Sequence, residues 1–353
     1  MTIIYFLLLL SAIILIHEAG HLVAAKFFGV YCYEYSFGMG PLLFKKKGKE
    51  TQYSLRCLPI GGYVAMAGEQ DGDELYPDVV VPEGRRLTDK KPWQKIIIML
   101  AGVFMNFILA YLIFTFVSLY NGQIAISPEP VIAQVVENSP AEKAGFQAGD
   151  RVVEVIKSDG SSYEPDTFLE MKSYIDEDSE TTFKVDRDGE TVTISVTPEY
   201  DEESESYLIG IQGEETQYVD VTLANCWGYG LYEMKFITKT MLSTLKALIF
   251  RGQGLNQLSG PVGIYQATET YVSYGFSYFL LLVGELSLNI GIFNLLPLPI
   301  LDGGQVVITI LEWITGKKFN EKLKMAIMIA CWVLIIGLML FVTWNDITRL
   351  IGG

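Results

Sequence analysis

Ile16-His17-Glu18-Ala19-Gly20-His21 lies inside an apolar run that begins at residue 3. His17 and His21 are the only histidines among 353 residues, and they stand four positions apart. On a helix, positions i and i+4 share a face, so both imidazoles can grip one ion while Glu18 reaches water bound to it. Zinc needs three protein ligands and an open position, and a carboxylate beside the opening can accept the water's proton. The pattern also arises by chance in many helices. Inside a hydrophobic span, however, a carboxylate and two imidazoles are costly, and such residues are usually functional.

The surroundings of this motif are those of a membrane protein. Half of the residues are hydrophobic and the mean hydropathy is positive. Four stretches, 3–25, 96–119, 276–300 and 325–343, meet the length of roughly 20 residues needed to cross a bilayer. The first has no basic leading segment and carries the metal motif, so it reads as a retained span rather than a cleaved signal peptide. The expected fold is therefore a polytopic α-helical membrane protein with about four transmembrane helices in the lipid bilayer.

The net charge of -15 is concentrated in the middle of the chain. Residues 123–220 hold 24 Asp and Glu against 6 Lys and Arg, so the rest of the chain is slightly basic. Such an acidic soluble segment argues against a nucleic-acid partner. Cys32, Cys57, Cys226 and Cys331 form no CxxC pair and suggest neither a disulfide framework nor a second metal site. Lys45, Lys46, Lys47 and Lys49, followed by Arg85, Arg86, Lys90, Lys91 and Lys95, place the first loop in the cytoplasm by the positive-inside rule. Lys317, Lys318, Lys322 and Lys324 fall on the same side, which leaves residues 121–275 outside.

Within the first loop, residues 51–66 alternate around Gly61-Gly62, which predicts a β-hairpin turning there. It is either a re-entrant sheet lining a cavity or a plain cytosolic hairpin; in the first case its edge could pair with an extended peptide. Strands are expected at 130–136, 151–157, 181–187 and 191–197, with short helices from Pro140 and over 166–175. Ser139 and Pro140 supply an N-cap and a first helical residue. This inserted α/β segment resembles a PDZ domain of the permuted kind found in bacterial proteases, either a peptide-binding groove or a steric filter. Over 215–255, Trp227, Tyr229, Tyr232, Phe236 and Phe250, interleaved with Lys235, Lys239, Lys246 and Arg251, suit an amphipathic interfacial helix in preference to a fifth span, which the four charges would interrupt.

Two histidines leave zinc one ligand short, and with no third histidine the ligand must be Asp, Glu or Cys. Asp302 follows Asn294-Leu-Leu-Pro-Leu-Pro-Ile-Leu301 and precedes Gly303-Gly304, where prolines and glycines break the third span at the depth expected for His17. The alternative is that Asp302 only caps the helix that follows.

Taken together, the HEAGH segment, Gly61-Gly62-Tyr63-Val64, one PDZ-like domain, Leu258-Ser-Gly-Pro-Val-Gly263 and the segment from Asn294 through Asp302-Gly-Gly resemble the site-2 protease family over nearly the whole chain. The likeness is to bacterial proteases that regulate sigma-factor release, in particular the single-PDZ branch. It implies that His17, His21 and Asp302 bind Zn2+, that Glu18 is the general base, and that Asn294 orients substrate backbone or the oxyanion. Gly61, Gly62 and Tyr63 are the candidate substrate-binding residues of the hairpin. The expected layout is an N-terminal membrane core over 1–120, an extracytoplasmic PDZ-like domain over 121–205, an interfacial region over 206–274 and a C-terminal membrane core over 275–353.

The expected function is intramembrane zinc endopeptidase activity in a bacterial cell membrane. Its substrates would be single-span proteins already trimmed by another protease, such as anti-sigma factors or remnant signal peptides. A membrane-anchored zincin acting on soluble peptides and a non-catalytic PDZ scaffold are the alternatives.

Overall fold

The computed structural model describes residues 2–175, 179–201, 206–251 and 258–352. The chain forms two compact units, one of residues 1–121 with 222–353 and one of residues 122–221. The first is helical apart from one sheet. Its helices are α1 (Thr2–Phe27), α2 (Gln70–Leu75), α3 (Pro92–Asn121), α6 (Cys226–Arg251), α7 (Pro261–Tyr274), α8 (Phe276–Asn294), α9 (Asp302–Thr315) and α10 (Glu321–Gly352). Among the described residues, four segments are long and apolar enough to cross a membrane: Thr2–Phe27, Pro92–Asn121, Phe276–Asn294 and Lys322–Thr348.

Side-chain size sets how these helices meet. Gly20 of α1 has no room for a Cβ, which would press on the Ala101 carbonyl and lie 2.8 Å from Met105 Cγ, so α1 and α3 approach almost backbone to backbone. Leu9 and Ile13 of α1 are buried with Leu282 and Val283 of α8. Ala110 and Phe114 of α3 are buried with Leu288 and Ile292 of α8. Between spans that lipid would otherwise surround, these contacts hold by van der Waals packing and close fit rather than by removal of apolar surface from water.

The third span ends at Asn294 rather than at residue 300. Pro297 and Pro299 cannot donate a helical hydrogen bond, and the chain turns through 295–301 before α9 starts at Asp302. Gly303 and Gly304 lie directly under this turn, where a Cβ would strike the backbone of Leu295 and Leu298.

The sheet joins β1 (Cys32–Lys47) to β2 (Gln52–Met66). The reversal is at Gly48 and Thr51, closed by a 2.9 Å backbone hydrogen bond, and not at Gly61-Gly62 as the alternation suggests. Those glycines instead bend β2: Gly61 has φ +86°, and a Cβ on Gly62 would sit 2.7 Å from the Ser36 carbonyl. The antiparallel ladder is broken by register shifts, so residues 34–37 pair with 62–65 on one side and with 52–55 on the other. Residues 42–47 add themselves beyond 52–56. The result is four short segments side by side, with 42–47 and 62–65 at the edges. Glu34 is fully buried within it, held by Arg56 at 3.0 Å, by the Tyr63 hydroxyl at 2.7 Å and by the Tyr76 hydroxyl.

The second unit contains β3 (Gln123–Ile126), β4 (Ile132–Val135), α4 (Pro140–Ala144), β5 (Arg151–Ile156), β6 (Ser162–Tyr163), α5 (Phe168–Ser173), β7 (Thr181–Arg187), β8 (Glu190–Val196), β9 (Glu199–Asp201), β10 (Ser206–Leu208), β11 (Ile211–Gly213) and β12 (Gln217–Asp220). A sheet in the order β6-β5-β7-β8 packs Val152, Val155, Phe183, Val185 and Ile194 against Phe146, Phe168 and Met171. Ser139 caps α4 by accepting the Glu142 N–H at 3.2 Å, and Gly145 ends it at φ +95°. The unit runs past residue 205 to Val221, because β11 pairs with β4 and β12 with β3.

The expected interfacial region 206–274 is therefore divided. Its first part belongs to this unit, and residues 252–257, like 176–178 and 202–205 of the inserted domain, lie outside the described residues. Helix α6 is not free in an interface: Met234, Ile237, Met241 and Leu245 pack on the core formed by α3 and α8.

Candidate metal centre

His17 and His21 occupy adjacent turns on the buried face of α1, and the start of α9 brings Asp302 against them. His17 Nε2 and His21 Nε2 are 3.2 Å apart, and Asp302 Oδ2 lies 3.2 Å from the first and 3.4 Å from the second. These three groups are the candidate metal-holding cluster found among the described residues. Asp302 does not serve as the N-cap of α9, a position taken by Leu301. Its Oδ2 is buried without a well-formed hydrogen bond, an orphan acceptor turned onto the point that both imidazoles face.

The spacing fits a zinc ion. Bonds of about 2.0–2.1 Å arranged tetrahedrally put neighbouring ligand atoms about 3.3 Å apart. The three observed separations of 3.2, 3.2 and 3.4 Å bracket that value. Three protein ligands leave the fourth position open, as hydrolytic zinc sites require.

The outward ring nitrogens are also engaged. His21 Nδ1–H donates to the Ile98 carbonyl at 2.8 Å, which leaves the Nε2 lone pair directed at the cluster. His17 Nδ1 lies 3.3 Å from Asn106 Nδ2, while Asn106 Oδ1 is buried with no partner. Amide oxygen and nitrogen are exchanged by a flip. Turned over, Asn106 accepts from His17 Nδ1–H, satisfies its own oxygen and aims His17 Nε2 inward. One turn away on α3, Gly102 leaves the space the ligands need: a Cβ there would fall on His21 Nε2 and within 2.8 Å of His17 Cε1.

Gly102 and Asn106 were not among the residues singled out from the sequence. A lone asparagine in an otherwise apolar span is the signal that points to the second of them.

Glu18 is half-buried, close enough to both histidines and Asp302 to interact with them electrostatically, and its carboxylate accepts a hydrogen bond from the Val64 backbone. The position for a Gly62 Cβ is 3.9 Å from Glu18 Cγ and 3.8 Å from Ile14 Cγ2, so the 62–65 edge runs alongside Glu18. Tyr63 turns its hydroxyl into the sheet onto Glu34. Asn294, the last residue of α8, lines a cavity of about 270 Å³ with Leu10, Ile264, Asn289 and Phe293. No hydrogen bond ties its side chain to another described residue.

Known proteins align with the chain along its length. The regulator of sigma-W protease RasP of Bacillus subtilis is 30% identical, covering 99% of both chains. A protein provisionally named a zinc metalloprotease in Clostridium perfringens is 34% identical over 98% of each. A similarly named protein of Staphylococcus aureus is 29% identical over 99% of this chain and 98% of its own. The model of peptidase family M50 matches residues 5–338. The chain thus belongs to peptidase family M50, the site-2 proteases, and is a membrane zinc metalloprotease.

Proposed function

We propose that this metalloprotease is an intramembrane endopeptidase, cutting single-span membrane proteins after another protease has removed most of their outer part. The observation that carries this reading is where the cluster lies. His17 and His21 sit within an apolar helix of spanning length, buried against a second one. A site at that depth acts on a peptide bond that lies there too. The name of the Bacillus relative, regulator of sigma-W protease RasP, supports anti-sigma remnants as one class of substrate; remnant signal peptides share the same single-span chemistry.

In this reading His17, His21 and Asp302 hold the zinc. Bound zinc supplies a Lewis acid for the scissile carbonyl and lowers the pKa of its water to about 7. Glu18 takes a proton from the attacking water and returns it to the departing amide nitrogen as the C–N bond breaks. A substrate helix satisfies its own backbone and must unwind before it is cut. Main-chain groups of the edge at Gly61, Gly62 and Tyr63 replace the lost hydrogen bonds, and Asn294, at the end of α8, orients the substrate backbone. Because its hydroxyl is committed to Glu34, Tyr63 contributes through its backbone.

The lysines of the first loop and those at 317–324 support an active site near the cytoplasmic face, with residues 122–221 outside. The four-stranded sheet and two short helices of that unit support the PDZ-like reading, as a reader of trimmed ends or a filter of bulky ones.

Glu18→Gln tests the proposal. It should retain about one zinc per chain while cleavage of a transmembrane substrate in liposomes falls by at least about a hundredfold. Retained cleavage would sink the assignment. Activity on soluble peptides that survives Asp302→Ala would favour a membrane-anchored zincin with a different third ligand.

A further inference from the structure

The β1–β2 sheet is fastened to α1 at three heights. The Tyr53 hydroxyl accepts from Lys26 Nζ at 3.1 Å in the last turn of α1, Tyr35 donates to the Leu15 carbonyl at 2.8 Å, and Ser11 donates to the Pro59 carbonyl at 2.6 Å. At 1.5 Å per residue, Ser11 and Lys26 are about 22 Å apart along the helix axis. The sheet therefore extends from the end of the first span to well inside the roughly 30 Å that a hydrocarbon core occupies.

What the sheet exposes along its 39–47 edge changes along this length. Met39, Leu42, Leu43, Phe44 and Leu58 are exposed, Leu43 at 64% and Phe44 at 63%. Immediately after them come Lys45, Lys46, Lys47 and Lys49, also exposed. The turn that carries Lys47 and Lys49 is tied to the end of α1: Glu50 holds Arg85, whose Nε donates to the Gly29 carbonyl at 3.2 Å, and Thr51 donates to the Cys32 carbonyl at 2.8 Å, so the lysine segment runs out at that level. None of the four makes an ion pair among the described residues, and the neighbouring acid Glu50 is already taken by Arg85. An apolar face at hydrocarbon depth, ending in four unpaired cations where that depth ends, has the polarity of a lipid monolayer with anionic headgroups.

We propose that Lys45, Lys46, Lys47 and Lys49 form a binding site for the phosphate headgroups of anionic phospholipid, with residues 39–44 seated among the acyl chains beneath. The same sheet links this site to catalysis. Segment 42–47 is one edge and segment 62–65, alongside Glu18, is the other, three strand spacings or about 14 Å away. Lipid held on the lysine edge fixes the sheet in the membrane and with it the edge that faces Glu18, so anionic lipid acts as an activator. This last step rests on the intramembrane endopeptidase reading; the lipid site itself does not.

The test uses the full chain, wild type and the quadruple variant K45Q/K46Q/K47Q/K49Q, with zinc content checked in both. Phosphatidylglycerol retained by the purified protein is counted by native mass spectrometry. Cleavage of a transmembrane reporter is measured in nanodiscs of phosphatidylcholine with and without phosphatidylglycerol. A lysine at headgroup level is worth about fivefold in anionic-lipid preference, so retention should fall at least about tenfold in the quadruple variant. The four-arginine variant should restore it. Wild-type cleavage should rise with phosphatidylglycerol, while the glutamine variant keeps its rate in phosphatidylcholine and loses the stimulation. Equal retention by wild type and glutamine variant overturns the site, and equal stimulation overturns its coupling to catalysis. Differential retention with no cleavage in any bilayer would leave the site standing and count against the endopeptidase reading instead.

Discussion

Gly102 and Asn106 do for the candidate metal cluster what its own residues cannot. A helix can present two imidazoles, but it cannot clear the space between them or choose which ring nitrogen points inward. Gly102→Ala puts a methyl group onto His21 Nε2 and should reduce zinc, read by elemental analysis of the purified protein, to a small fraction of the wild-type content. Asn106→Leu keeps the volume but removes the partner of His17 Nδ1, and should weaken zinc affinity by about 10–100-fold in a chelator competition. Unchanged affinity would show that His17 orients itself. In the sequence His17, Glu18, His21 and Asp302 stand out as candidates because charged or metal-binding groups in apolar segments are costly. Gly102 gives no such signal, since glycine is common in membrane helices and its use here depends on a neighbour some eighty residues earlier in the chain.

Between residues and whole helices, the turn at 295–301 is the element on which Asp302 depends. Its prolines were readable as a break in the third span, yet the point of the break was not, because hydropathy continues through Leu295, Leu296, Leu298 and Ile300. Gly304 lies so close to the Leu298 carbonyl that a Cβ must push the turn and the first residue of α9 apart. Gly304→Ala is accordingly expected to lower both zinc content and cleavage while leaving the protein membrane-inserted, whereas Gly316→Ala, which strains only the left-handed C-cap (φ +66°) at the far end of α9, should leave zinc unaltered. Equal zinc loss in both variants would mean that α9 fails as a whole. In the sheet, two adjacent glycines between strand-like runs read as a hairpin turn. The reversal lies at Gly48 instead, and Gly61 and Gly62 serve a bend within β2 whose need arises only from the approach of Ser36.

At the scale of the whole molecule, the acidic segment is legible as a separate body because its charge sets it apart from apolar flanks. Its end was not, since β11 and β12 return to strands more than seventy residues earlier, and such pairing leaves no local mark. Within this unit Lys184 lies 2.8 Å from Glu154 and holds its carboxyl below the usual range. The pair's contribution is complete above about pH 4.3 and is lost as pH falls through the lower folded value. Both side chains are partly exposed, so it amounts to less than about 1 kcal/mol. Hydrogen exchange of β5 and β7 in the full chain should show this acid-side loss in wild type, and Lys184→Met should flatten it. The helical unit carries a different kind of tension. Helix α8 has 19 residues and α3 has 30, or about 28 Å against about 45 Å of axis. A bilayer cannot match both lengths at once. At about 28 Å, α8 is close to the roughly 30 Å of a hydrocarbon core, so α3 is the helix that exceeds it and must tilt or reach into the headgroups. Bilayer thickness thereby sets the tilt of α3, which carries Gly102 and Asn106 against His17 and His21, and cleavage in defined bilayers should depend on acyl-chain length; a rate indifferent to thickness would remove this coupling from the account.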